Sequence, residues 1–280
     1  GKCEGVGNNT NTGSPDPYPN NPADHLLISE IRVTPTTGEF IEIYNPTNGS
    51  ISLNNYYIAN FNFKGNTTST AKWYYEITTK SLTANATDFI ITFPIGSSIG
   101  PKEFLTIATH GATDYKTTYQ IDADYVIPAN ASDLTLANTQ AMEVLNVYSS
   151  TSTKSVGASV TLSNDGEDMI LFYWDGISSL ISDVDYIIWG DKDEACDKSG
   201  VTINGSTYKN DTSTANQDVV HPSAHGLTES FQRIWFSEGD EVHTGGNGQT
   251  GHNETSEPLS KSWIYFGSAP TPGAEPAVTP

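Results

Sequence analysis

Within the ten residues Asp191–Gly200, DKDEACDKSG, carboxylates fall at Asp191, Asp193, Glu194 and Asp197. Calcium is a hard cation that takes six to eight oxygens, and close carboxylates in a polar loop supply them. No glycine stands at the sixth position, where an EF-hand loop turns. A second acidic group, Asp240, Glu241, Glu254 and Glu257, shares a Gly-rich stretch with His252. The expectation is a weak divalent-cation site in these two loops, calcium before any soft-ligand metal. The competing reading is two solvated loops, with His252, Asn253 and Thr255 tying their segment by side-chain-to-backbone bonds. Trp73 and Tyr75 would share one face of a strand, where an exposed aromatic pair stacks on a sugar or a protein partner. The plainer alternative puts that face in the core.

No catalytic residue is assigned. A serine hydrolase needs its nucleophile on a strained strand-to-helix elbow with a histidine and an acid, and no such elbow is expected. A phosphate-cradling G-x-x-x-x-G-K-[ST] loop and the H-E-x-x-H zinc motif are absent. His221 and His225 have helical spacing, but Pro222 and Gly226 argue against a helix there. The two cysteines, Cys3 and Cys196, make neither a disulfide framework nor a zinc cluster; one bridge between them is the most they allow. Arg233, one of two arginines, sits among apolar residues in ESFQRIWF and is expected to pair with a carboxylate.

The elements that must position these residues read as short strands. HLLISEIRV, EFIEIY, SLNNYYIANF, KWYYEI, DFIITF, KEFLTIAT, DMILFYW and SDVDYIIWG lie between Gly, Pro and Asn-rich turns. Their period-two patterning predicts antiparallel sheet with one wet face, hence a sandwich or barrel. Ile41 and Ile43 are expected to face the core and Glu42 the solvent. Asn45-Pro46 stops that strand, because proline lacks a ladder N–H, and Asn48-Gly49 turns the chain back. One short helix is expected at Ala137–Val147.

The chain has 280 residues, with 13 Lys and Arg against 33 Asp and Glu, a formal charge of -20. Such a surface repels nucleic acid and anionic membranes. No apolar run is long enough to span a bilayer. Residues 1–24 are Gly, Asn and Pro-rich and read as a linker; residues 25–275 read as one domain, and 276–280 as a tail. A linker in that place suggests a preceding export signal or anchor.

LLISEI, GEFIEIYNP and ISLNNYYI resemble the opening strands of the lamin tail domain. IGPKEFLTIA, LSNDGEDMILFYWDG, DVDYIIWG and the closing TPGAEP resemble later pieces in the family's order. The resemblance implies an all-β, immunoglobulin-like antiparallel sandwich of a kind found in nuclear lamins and in many secreted bacterial proteins, and it implies no catalytic residues. This chain is about twice the length typical of the family, so long insertions and a loop-rich C-terminal elaboration are expected. The reading is an exported or cell-surface module that binds a protein or carbohydrate, or scaffolds. The alternative is an accessory domain of an extracellular hydrolase, or a metal-dependent hydrolase using the acidic C-terminal loops.

Overall fold

The strand Phe40–Tyr44 shows how this sequence builds a sheet. Its register places Ile41 opposite Ile31 and Ile107, and Ile43 opposite Ile28 and Leu105. Side chains two apart share a face, so three strands present one continuous apolar surface. The computed structural model describes residues 23–60, 62–63, 72–80, 88–128, 138–144, 160, 162–236, 246–249, 251–265 and 269–276. Its larger sheet has seven strands, in the order Gln140–Ala141, Tyr125–Val126, Phe104–Ala108, Phe40–Tyr44, Leu27–Arg32, Phe231–Arg233 and Trp263–Ile264. A second sheet has five, in the order Glu143–Val144, Ile90–Thr92, Tyr56–Ala59, Gly166–Tyr173 and Ser182–Gly190. Ile28, Ile31, Ile41 and Ile107 of the first join Ile58, Ile91, Leu171 and Ile187 of the second in one core. The protein is an all-β, immunoglobulin-like sandwich.

The antiparallel pattern breaks at one edge. Tyr125–Val126 runs parallel to both Phe104–Ala108 and Gln140–Ala141. Parallel neighbours need a crossover, and the helix Ala112–Tyr119 supplies it. This helix begins after Gly111, at φ 123°, and ends at Gln120 in left-handed backbone, φ 62°. It buries Ala112 and Tyr115, and Phe40 packs edge-on against Tyr115 and Tyr119.

Three expectations change. In place of a helix at Ala137–Val147, Gln140–Ala141 and Glu143–Val144 are strands of different sheets, and buried Met142 lies where the chain passes between them; Ala137 and residues 145–147 lie outside the described residues. KWYYEI is a strand only at Lys72–Trp73, after which Tyr74–Thr79 coils into a 3-10 helix. The sheets also lack the expected wet faces. On the outer side of the smaller sheet, Phe172 packs against Tyr57 and Tyr74, and Tyr186 donates to Gln217 at 2.9 Å.

Glu42 is therefore not solvent-facing. It is 1% exposed and stands in register with Glu30 and Thr106, while Glu30 stands opposite Gln232. This polar row crosses four strands beneath the segment 269–276. Ser29 donates to Glu42 Oε1 at 2.7 Å, and the Gly273 amide donates to Oε2 at 2.6 Å. The amide and hydroxyl of Thr271 donate to Glu30, as do Ser230 and Gln232. Burial lifts Glu30 to about 7 and Glu42 well above the ordinary carboxylate range, the Glu30 charge adding to the latter.

Candidate functional site

The strand Ser182–Gly190 ends the smaller sheet, and an uncovered edge is a template for wrong pairing. Later segments close it. The Val220 amide donates to Ile188, the Gly190 amide to the His221 carbonyl, the Asp183 amide to Asn247, and the Gln249 amide back to Asp183. At Ser206–Thr207 the chain forms a hairpin with Thr202–Ile203. Its turn is Asn204-Gly205, both at positive φ, as a two-residue type I′ connection requires. Between this hairpin, residues 178–182 and residues 246–248 lies an open groove of about 470 Å³. Its walls carry serine and threonine hydroxyls, main-chain groups, Asn247, Lys209 and Tyr208, with no histidine or carboxylate.

Behind the groove the side chains become ionic. Asp183 turns inward, and its Oδ2 accepts from Lys198 Nζ at 2.6 Å. Asp211 Oδ2 is 2.9 Å from the same nitrogen. Burial works against the Lys198 ammonium, but Asp183 and Asp211 outweigh it and hold its pKa well above the ordinary range. Burial also raises Asp183, against the pull of Lys198.

A second buried group ties the two sheets together. Arg233 Nη2 reaches both oxygens of Asp185, at 2.7 and 2.9 Å, and Nη1 reaches Glu257 at 2.5 Å. The pairing of Leu27–Arg32 with Phe40–Tyr44 slips between Ile28 and Glu30. Beside that slip Asp185 accepts the Ile28 amide and Arg233 donates to the Ile28 carbonyl. Trp263 covers the guanidinium at 5.0 Å. The structural role expected of Arg233 is what the structure shows.

The acidic residues of the sequence reading meet different surroundings. Asp191 and Asp193 are exposed, and Asp191 Oδ1 accepts the Asp193 amide. Asp197 is half-buried and accepts the Ser199 amide. Glu194, half-buried, is raised to about 8 by burial and then by Asp88, Asp191 and Asp193. Glu257 is committed to Arg233, and Glu254 is buried in the short 3-10 helix Glu254–Ser256. His252 packs edge-on to His25 at 5.9 Å. Asp240 and Glu241 lie outside the described residues. Among the described residues no three His, Cys, Asp or Glu side chains are placed to hold a metal ion. Asn253 and Thr255 tie their segment to the loop at Thr212, whose amide donates to Thr255 Oγ1 at 2.8 Å.

Trp73 and Tyr75 do stack, at 6.3 Å and 5° between planes, but Tyr75 is buried and meets Tyr208 edge-on. Cys196 is buried with a free thiol, and Cys3 lies outside the described residues. The spacing G-x-S-x-G does occur, at Gly96–Gly100. Ser98 there opens a two-residue strand paired with Ile51–Ser52, and no helix follows, so it makes no nucleophile elbow. His221 packs at a tilt against Tyr265, whereas buried His225 accepts the Val33 amide; the two share no site.

The profile of the Lamin Tail Domain matches residues 19–187, more than half of the chain. The chain belongs to the lamin tail domain family. The match ends inside the strand Ser182–Gly190, so Lys198, Asp211 and the segments closing that edge lie beyond it. The outer strands Phe231–Arg233 and Trp263–Ile264 of the larger sheet do too. No curated protein matches the sequence. Among solved structures, a DUF4876 family protein from Bacteroides thetaiotaomicron is similar at 15% identity, with a TM-score of 0.42, over 86% of this chain and 67% of that one.

Proposed function

We propose that this lamin tail domain is an exported, non-catalytic module that binds a neutral polar ligand, a carbohydrate before a peptide, in the groove beside the strand Ser182–Gly190. The supporting observation is the chemistry of the groove wall. Hydroxyls, main-chain groups, one amide and the single cation Lys209 offer directional hydrogen bonds, as a polyhydroxyl ligand requires, and no acid–base pair faces the groove to drive hydrolysis. Tyr208 backs the groove and leads to the Tyr75–Trp73 stack. The formal charge of -20 disfavours nucleic acid and anionic lipid as partners. No described helix is long and apolar enough to cross a membrane.

The test is a glycan array and a peptide array probed with the purified protein. Hits are followed by calorimetry on the wild type and on Thr207→Trp, which fills the exposed rim. Saturable glycan binding abolished by Thr207→Trp is the expected result. Binding to peptides alone would move the ligand class, and binding to neither would remove the reading. Hydrolysis of glycoside, phosphoester, ester or peptide substrates, with or without divalent metal, would overturn its non-catalytic part.

A further inference from the structure

Lys198 is the only buried lysine among the described residues, and its side chain is fully buried. Its Nζ lies 2.6 Å from Asp183 Oδ2, 2.9 Å from Asp211 Oδ2 and 2.9 Å from the Tyr74 hydroxyl. The rings of Tyr74 and Tyr208 wall the site, 5.4 and 5.9 Å from the nitrogen. Both carboxylates are almost wholly buried. Arg233 with Asp185 and Glu257 is a purely electrostatic counterpart, because a guanidinium does not lose its proton in a protein. An amine can lose its proton, and it is then a nucleophile.

We propose that Lys198 and Asp183 condense to an intramolecular amide, with Asp211 carrying the proton. A proton first passes from the Nζ ammonium to Asp183 Oδ2, converting the buried ion pair into a neutral amine and acid. The Nζ lone pair then attacks Asp183 Cγ and forms the C–N bond. Charge gathers on Oδ1, which already accepts the Tyr74 hydroxyl at 2.7 Å; a donor fixed on that atom stabilises it. Asp211 Oδ2 takes the next proton from Nζ and delivers it to Asp183 Oδ2. The Cγ–Oδ2 bond breaks, water leaves, and Asp211 returns to its starting state. Ammonium and carboxylate thus become amide and water, with the net charge unchanged and no oxidant or activating group consumed.

The surroundings favour this direction. Burial penalises the ion pair relative to the neutral amide; the first proton transfer is the uphill step, because Asp183 and Asp211 hold the pKa of the Lys198 ammonium well above its ordinary range. Holding the two groups in contact gives them a high effective concentration. The roles of the carboxylates follow from their partners. Asp211 is clamped through Oδ2 by the Lys198 main-chain amide at 2.8 Å and through Oδ1 by Asn247 at 2.6 Å, as suits a fixed proton carrier. Asp183 holds Tyr74 on one oxygen and Lys198 on the other, as suits the group attacked.

The test is the intact mass of the full-length purified protein, followed by peptide mapping. The expected mass is one water below that of the sequence, with a branched peptide joining Asp183 to Lys198. Lys198→Met and Asp211→Asn should both have the full mass. Wild-type protein at full mass after prolonged incubation, with Lys198 in linear peptides, would overturn the proposal whether or not any variant folds. A water loss mapped instead to a succinimide at Asp165-Gly166 or Asp175-Gly176 would also overturn it. A branch to Asp211, or a linked Asp211→Asn variant, would refute the assigned roles.

Discussion

Two buried sets of carboxylates sit at opposite surfaces of the larger sheet and are handled differently. Between the sheets, Asp185 and Glu257 share Arg233. On the outer face Glu30 and Glu42 stand opposite one another and receive only neutral donors from Ser29, Ser230, Gln232, Thr271 and Gly273. Burial raises Asp185 to about 7 against the pull of Arg233, and it raises Glu30 to about 7 against hydrogen bonds alone. A chain with 13 Lys and Arg against 33 Asp and Glu cannot answer every acid with a cation. The outer pair is therefore met by neutral hydrogen-bond donors, and the inner group by a guanidinium.

Removing the cation should have the largest effect. Arg233→Met leaves Asp185 and Glu257 facing each other in the core and the Ile28 carbonyl without its donor, a loss of about 3–5 kcal/mol in chemical denaturation. Adding Asp185→Leu and Glu257→Leu should restore much of it, since replacing a whole buried ion group by apolar residues is often neutral. If the triple variant is no better than the single, the cost lies in packing and not in stranded charge.

Truncating an outer carboxylate should matter less. Glu42→Ala strips the acceptor from Ser29 and Gly273 and should cost about 1–3 kcal/mol. A silent substitution would mean that Glu42 is wet and that the segment 269–276 does not lie over it.

The outer pair also predicts a pH dependence. The folded pKa of Glu30 lies above its unfolded value, so the unfolded chain gives up this proton first. Its contribution is complete below 4.5 and is lost as pH rises through about 7. It amounts to at most about 3 kcal/mol. His25 runs the other way, because burial lowers it from 6.5 to about 4, and its contribution is lost as pH falls through that window. These slopes overlap with each other and with those of Asp185 and Glu194, also raised by burial, so the readout is the difference between wild type and Glu30→Gln across a pH series of melting temperatures. That difference should shrink as pH rises; a constant difference would remove the protonated pair.

Thr271→Val is the mildest probe. It removes one hydroxyl donor to Glu30, keeps the main-chain donor, and should lower stability by about 1 kcal/mol.

Much of the architecture was legible because alternation reports a buried face directly. Ile41 with Ile43 and Leu105 with Ile107 point where their spacing puts them. Alternation does not report what covers the other face. Glu42 reads as solvent-facing until residues more than two hundred positions later are laid across it. The helix Ala112–Tyr119 was missed because only Ala112, Tyr115 and Tyr119 mark its buried side, too few to stand out from polar loop. In Asp191–Gly200 the acids drew the reading, yet Lys198 is the residue the fold encloses. Its partners Tyr74, Asp183 and Asp211 are separated in the chain, and no local spacing signals that they meet.

The segment 269–276 also bears on how the domain assembles. The bonds from Thr271 to Glu30 and from Gly273 to Glu42 join residues 241 and 231 positions apart. The strand Leu27–Arg32 is likewise flanked on one side by Phe231–Arg233. Loop-closure entropy grows only slowly with length, so such contacts are affordable once made. Pairings this distant nevertheless slow the search for them. One flank of the first strand thus pairs with its sequence neighbour Phe40–Tyr44, while the other stays open until Phe231–Arg233 arrives.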